Sequence, residues 1–120
     1  MFNIINEFDN YKVTNCSRAG AWARSYRYSA VISLFKGTVP VGTIKFKGES
    51  STLRDSYFAG RSGQPHRVNL YYFDQDFPMV LAMLQQESPL YVCIRTSGTA
   101  KDGIGAITTT NEPVGEEEGE

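Results

Sequence analysis

The sequence is poor in the residues that build disulfide frameworks and metal centres. It has two cysteines and one histidine among 120 residues, too few for a disulfide framework or for most four-ligand zinc sites. Its strongly apolar stretches are all shorter than ten residues, whereas a helix that spans a bilayer needs about 20. We therefore expect no cofactor, no metal ion and no membrane span.

A secretory signal is also missing from the amino-terminal residues. No basic segment followed by a long apolar run stands between Met1 and Glu7, and a signal peptide has both, so we expect a cytoplasmic protein. Hydrophobic residues make up 41% of the chain, which is enough to bury one core, and the chain is too short for two. We expect one globular domain over residues 1–111 and a flexible acidic tail over residues 112–120.

The net charge of −1 hides an uneven distribution of charge along the chain. Residues 1–67 carry ten Lys and Arg against four Asp and Glu, a net charge of +6. Residues 68–120 carry two basic residues against nine acidic ones, a net charge of −7, and five of these acids are glutamates in residues 112–120. Such a basic body can indicate an anionic partner, although a small fold can also carry uneven charge without one.

Hydrophobic periodicity predicts a sheet that is followed by one helix and two further strands. Tyr28–Lys36 and Val41–Lys47 alternate apolar and polar residues on either side of a turn at Gly37, which indicates a hairpin with one buried face. The alternation places Tyr28 together with Ala30 on the buried face. Further strands are expected at Tyr11–Cys16, around Tyr57 and Phe58, and at Val68–Phe73, Leu90–Arg95 and Ile104–Thr110.

The helix is expected over about residues 77–87. Asp74 or Asp76 is a suitable amino-terminal cap, and Pro89 ends the helix. The apolar stripe that faces the sheet comprises Phe77, Val80, Leu81 and Leu84. This order of elements predicts an α+β domain, a curved antiparallel sheet of about six strands with the helix packed on it.

Few residues are candidates for catalysis. His66 lies in a polar loop between Pro65 and Arg67, and no partner residue identifies it as a general base. Cys16 and Cys93 lie in predicted strands, where a buried thiol behaves as a small hydrophobic group. We therefore predict no catalytic residues and a protein that is not an enzyme.

Basic and aromatic residues are interleaved in the first half of the chain. Cations along the phosphates and flat rings under the bases are the two contributions that hold single-stranded nucleic acid. Lys45 and Lys47 share the polar face of their predicted strand, and the neighbouring strand presents Ser29, Val31 and Ser33 beside them. The predicted nucleic-acid-binding residues are Trp22, Arg24, Tyr26, Arg27, Lys45, Lys47, Arg61 and Arg67.

Two other interpretations fit the same residues. The aromatic side chains can anchor a protein-interaction or accessory module with charges at its rim, or a small ligand can bind between sheet and helix. Part of the aromatic set fills the core in each case. We also expect association into a homodimer or a higher oligomer. The acidic tail either solubilises the chain or competes with an anionic ligand for the basic body, and deleting it would then raise nucleic-acid affinity.

Two resemblances accompany these patterns. The segment from Phe77 to Leu84, which runs into Ser88–Val92, and the closing Asn111–Glu116 resemble segments of small uncharacterised bacterial proteins. The order of strands followed by a helix resembles the fold of the Whirly-type single-stranded-DNA-binding regulators. This second resemblance is one of topology, and it implies single-stranded DNA as the partner. Neither resemblance assigns a catalytic or base-reading role to a residue of this sequence.

Overall fold

The computed structural model describes residues 4–15, 28–48, 56–61, 64–97 and 101–109. Within these ranges the chain forms one eight-stranded sheet and one α-helix. The strands are β1 (Ile4–Phe8), β2 (Asn10–Asn15), β3 (Tyr28–Lys36), β4 (Val39–Lys47), β5 (Ser56–Arg61), β6 (Gln64–Phe73), β7 (Leu90–Thr96) and β8 (Asp102–Thr108). The helix, α1, covers Phe77–Gln86 and follows a 3-10 turn over Asp74–Asp76.

The sheet is nearly barrel-shaped because its two edge strands are consecutive in the chain. The strand order is β1-β7-β8-β5-β6-β4-β3-β2, and Asp9 alone separates β1 from β2. The Asp9 N–H donates a hydrogen bond to the Phe35 carbonyl over 2.9 Å. The chain thus passes from the side of β7 to the side of β3, and one bent segment joins both edges of the sheet.

The structure confirms the α+β class, the β3–β4 hairpin, the pairing of the last two strands and the helix. It corrects the sheet, which has eight strands rather than about six. Ile4–Phe8 forms a strand that the sequence pattern does not indicate, since its polar and apolar residues do not alternate. The sheet is also not wholly antiparallel, because β4 pairs with β6 in parallel and β5 lies on the far side of β6.

The core consists of the inward-facing side chains of the sheet and one stripe of α1. Ile32, Ile44 and Phe46 have no exposed surface, and Val80 and Leu84 of α1 belong to the same buried cluster. A helix of ten residues is marginal on its own, so its packing on the sheet stabilises it. Among the residues that the structure describes, no helix is long and apolar enough to cross a membrane.

The predicted side-chain cap of the helix is wrong. Asp76 is the residue before α1, and its side chain makes no capping hydrogen bond. The residue before the 3-10 turn, Phe73, makes none either. Asp74 instead accepts a hydrogen bond from the hydroxyl of Ser29 in β3. This carboxylate therefore ties the start of the helical segment to the sheet, through a partner 45 positions away that local spacing does not reveal.

Candidate functional site

Five strands that are adjacent in the sheet contain no acidic residue. These strands, β5, β6, β4, β3 and β2, are called the acid-free strands below. Their six basic residues are Lys12, Lys36, Lys45, Lys47, Arg61 and Arg67. The other three strands carry Glu7, Arg95 and Asp102. The basic residues of the first half that the structure describes therefore all lie on one contiguous part of the sheet.

Lys45 and Lys47 lie on the outer face of β4, as the alternation predicts. Ile44 and Phe46 alternate with the two lysines along β4 and are fully buried on the inner face. Lys45 is paired with Val31 of β3 on one side and with Tyr71 of β6 on the other. The predicted neighbourhood of lysines beside the polar face of β3 is thus confirmed, and β6 adds an aromatic residue to it.

Three tyrosines form a row across this outer face. The centre of the Tyr71 ring lies 6.1 Å from that of Tyr28 and 6.1 Å from that of Tyr57, with interplanar angles of 36° and 26°. Tyr71 is only 6% exposed, whereas the other two rings are half-buried. The row therefore crosses from β3 to β5 with a buried ring in the middle and a partly accessible ring at each end.

Both lysines hold their ammonium groups over this row. Lys45 Nζ lies 5.4 Å from the centre of the Tyr28 ring and 5.7 Å from that of Tyr71. Lys47 Nζ lies 5.7 Å from the centre of the Tyr28 ring. At these distances the ring quadrupole attracts a cation. Positive charge and aromatic faces thus occupy one patch, the tyrosine–lysine cluster, which comprises Tyr28, Lys45, Lys47, Tyr57 and Tyr71.

Tyr28 belongs to the cluster because of an irregularity in β3, and its predicted place on the buried face is wrong. Tyr28 is paired with Lys47, whereas Ala30 is paired with Phe46, so two steps along β3 match one step along β4. Such a bulge re-aims a side chain. It places Tyr28 beside the lysines while Ala30 remains buried in the core.

Arg67 lies further along the outer face of β6. It alternates with Val68, which is fully buried, and shares its face with Asn69 and Tyr71. The Arg67 Nε atom is buried and has no hydrogen-bond partner within the part of the chain that the structure describes. A buried N–H group without an acceptor is unfavourable.

The structure brings together only part of the predicted set. Lys45, Lys47 and Arg67 share the outer face, and Arg61 is placed by its backbone in β5, paired with Gln64. Trp22, Arg24, Tyr26 and Arg27 lie outside the described residues.

The predicted list of binding residues omitted all three tyrosines of the cluster, although Tyr28 and Tyr57 belong to the interleaved basic and aromatic residues from which that list was drawn. Alternation in β6, where Leu70 is buried in the core, indicates that Tyr71 faces outward with Arg67. That signal could have found Tyr71, whereas the outward position of Tyr28 depends on the irregularity in β3, which alternation does not reveal.

The two described candidates for catalysis, His66 and Cys93, do not form a site, and Cys16 lies outside the described residues. His66 lies in β6 rather than in a loop, and its ring packs against Phe58 with centroids 5.3 Å apart. Cys93 is fully buried, and burial raises the pKa of its thiol to about 12. Within the described ranges, no group of three or more His, Cys, Asp or Glu side chains could hold a metal ion.

Comparison with known proteins gives no family. No protein-family model matches this chain, and no curated protein or solved structure matches it either. The resemblance to the Whirly-type regulators therefore remains a hypothesis from the order of the elements.

Proposed function

We propose that this protein is not an enzyme and that it binds single-stranded nucleic acid, with little sequence preference, on the outer face of the acid-free strands. The observation that carries the proposal is the tyrosine–lysine cluster, where Lys45 Nζ lies within 5.7 Å of two ring centres. Stacking and phosphate contacts are the two contributions that sequence-tolerant single-strand binding needs. The cluster supplies both within one patch.

Each residue of the site has a distinct role in this proposal. The partly accessible rings of Tyr28 and Tyr57 stack against bases, while the buried Tyr71 ring between them holds the two in position. Lys45 and Lys47 contact the phosphates that flank those bases. Arg67 adds positive charge further along β6, where it attracts the phosphate backbone.

A protein-interaction module receives less support from the surface. Among the residues that the structure describes, the exposed large apolar side chains are Val13, Val39, Met79 and Ile104. They lie on four different elements, β2, β4, α1 and β8, and singly scattered apolar residues are ordinary on a protein surface. The cytoplasmic location and the homo-oligomeric state predicted from the sequence remain predictions.

The test is a titration of fluorescently labelled oligo(dT), about 20 nucleotides long, followed by anisotropy at several salt concentrations. We expect micromolar or tighter binding at low salt that weakens steeply as salt rises. Each phosphate contact to a single strand contributes about 0.7 to the slope of log K against log salt. The double variant Lys45→Gln/Lys47→Gln should therefore reduce that slope by about 1.4.

A matched control removes the same charge from elsewhere on the surface. Arg95 and Lys101 are exposed and lie outside the acid-free strands, so Arg95→Gln/Lys101→Gln should leave the slope nearly unchanged. Equal losses in the two double variants would show that net charge, and not this site, governs binding. Absence of binding at low salt would contradict the proposed function itself.

A further inference from the structure

The chain leaves β8 at the end of the sheet where the tyrosine–lysine cluster lies. β8 is antiparallel to β5, and β5 is antiparallel to β6, so β8 runs in the same direction as β6. β6 is in turn parallel to β4, whose last residue is Lys47. Thr108 at the end of β8 and Lys47 at the end of β4 therefore lie toward the same edge of the sheet.

The segment that follows β8 is long enough to reach the cluster. Two strands, β5 and β6, separate β8 from β4, and three steps between neighbouring strands amount to about 14 Å. Residues 110–120 span at most about 36 Å when fully extended. The glutamates of residues 112–120 can thus lie over the outer face of β4.

Charge complementarity favours this segment as an occupant of the face. Residues 112–120 contain five glutamates and no lysine or arginine, while the acid-free strands carry basic residues alone. A carboxylate is the group in this chain that most resembles a phosphate oxygen in charge and in its capacity to accept hydrogen bonds.

We propose that residues 112–120 bind the tyrosine–lysine cluster within the same chain and compete there with nucleic acid. The competition rests on the proposed function, whereas the intramolecular contact does not. A site that is covered for nine-tenths of the time has an apparent affinity about tenfold below its intrinsic value. The acidic segment therefore restricts binding to nucleic acids that offer enough phosphates to displace it.

The first experiment detects the contact without nucleic acid. A carbodiimide converts a lysine amine and a touching carboxylate into an amide, and mass spectrometry of the digested full chain identifies the joined peptides. We expect links from residues 112–120 to Lys45 and Lys47 to exceed, several-fold, those to Lys101, which precedes β8 at its opposite end. Links spread evenly over the three lysines, or none to Lys45 and Lys47, would overturn the proposal.

The second experiment measures the competition in the full-length chain. Glu112, Glu116, Glu117, Glu118 and Glu120 are all replaced by glutamine, which keeps the length and removes the charge. We expect oligo(dT) affinity to rise about tenfold at low salt and less than twofold at high salt, where surface charges are screened. Tight binding that the glutamine variant leaves unchanged would overturn the competition. If the predicted cross-links form but neither the original chain nor the glutamine variant binds nucleic acid, the intramolecular contact is supported and the proposed function is refuted.

Discussion

Tyr28 and Lys47 are direct partners across the β3–β4 pair, and Lys47 Nζ lies 5.7 Å from the centre of the Tyr28 ring. This relationship exists because the β3 bulge turns Tyr28 away from the core while Ala30 stays buried. Without the bulge, the Tyr28 ring would point inward and the row of tyrosines would lose its end on β3. One extra residue in a strand therefore creates half of the accessible aromatic surface of the cluster.

Loss of the Tyr28 ring should weaken nucleic-acid binding. Base–aromatic stacking contributes about 1–3 kcal/mol per base, so we expect Tyr28→Leu to reduce oligo(dT) affinity about tenfold or more, as measured by anisotropy. Tyr91→Leu is the matched control, since Tyr91 is also half-buried but lies on β7, outside the acid-free strands. A similar loss in both variants would contradict the assigned role of Tyr28.

Gly42→Ala should destabilise the sheet. A Cβ atom at Gly42 would lie 2.5 Å from the Val68 carbonyl oxygen of the parallel neighbour β6 and 3.3 Å from Val92 Cγ1. Backbone of a central strand cannot move aside easily, and overpacking of this kind typically destabilises by about 1–3 kcal/mol. Urea denaturation of Gly42→Ala and of the original chain measures this loss in the free energy of unfolding.

Gly48→Ala is the control for that substitution. Among the described residues, a Cβ atom at Gly48 would contact Asp74 Oδ2 alone, at an ordinary distance of 3.8 Å. We therefore expect its free energy of unfolding to stay within about 0.5 kcal/mol of the original chain. An equal effect of the two glycine substitutions would show that the close approach of β4 and β6 is not the cause.

The Cys93 thiol should be unreactive in the folded protein. It has no exposed surface, and burial raises its pKa from 9.0 to about 12, so the nucleophilic thiolate is scarce at neutral pH. In a Cys16→Ser background, Ellman's reagent should label Cys93 only at the rate of unfolding, and at once in denaturant. Rapid labelling of the folded chain would contradict this prediction.

The same pKa shift predicts a loss of stability in alkali. The pKa of Cys93 is higher in the folded chain than in the unfolded one, so folding favours the neutral thiol. The contribution of this thiol to the free energy of unfolding is therefore complete below pH 9.0 and is lost as the pH rises toward 12. The pKa of Tyr72 is raised from 10.0 in the same sense, by burial and then by the nearby Asp76 carboxylate. The free energy of unfolding, measured with urea at increasing pH, should therefore decrease steadily above pH 9.0. The decrease should be smaller in Cys93→Ala.

Asp9 should contribute to stability in the opposite pH range. The Gly37 N–H donates to its carboxylate over 2.9 Å and the Asn10 amide over 2.6 Å, and these bonds, with Lys36 nearby, lower the pKa of Asp9 below 3.8. The ionised Asp9 carboxylate therefore stabilises the fold above pH 3.8, its ordinary pKa. This stabilisation is lost as the pH falls through the lower pKa that Asp9 has in the folded chain. Asp9→Asn should remove this acid-dependent part of the unfolding free energy, whereas Asp102→Asn should retain it.

The elements with local patterns could be predicted from the amino-acid sequence alone. Alternation in Tyr28–Lys36 and in the strand that ends at Lys47 predicted the β3–β4 hairpin and the shared face of Lys45 and Lys47, and both are confirmed. The apolar stripe predicted α1, because helical spacing is visible within ten residues. Such features depend on neighbours along the chain, which a single sequence displays.

The way in which these elements meet depends on long-range contacts that the sequence pattern does not display. The bend at Asp9, the parallel pairing of β4 with β6 and the bulge at Tyr28 depend on strands that are distant in sequence. The row from Tyr28 through Tyr71 to Tyr57 joins three separate strands, so no spacing along the chain could reveal it. Local periodicity fixes which face a residue takes within one strand, whereas long-range pairing and register fix which residues become its neighbours.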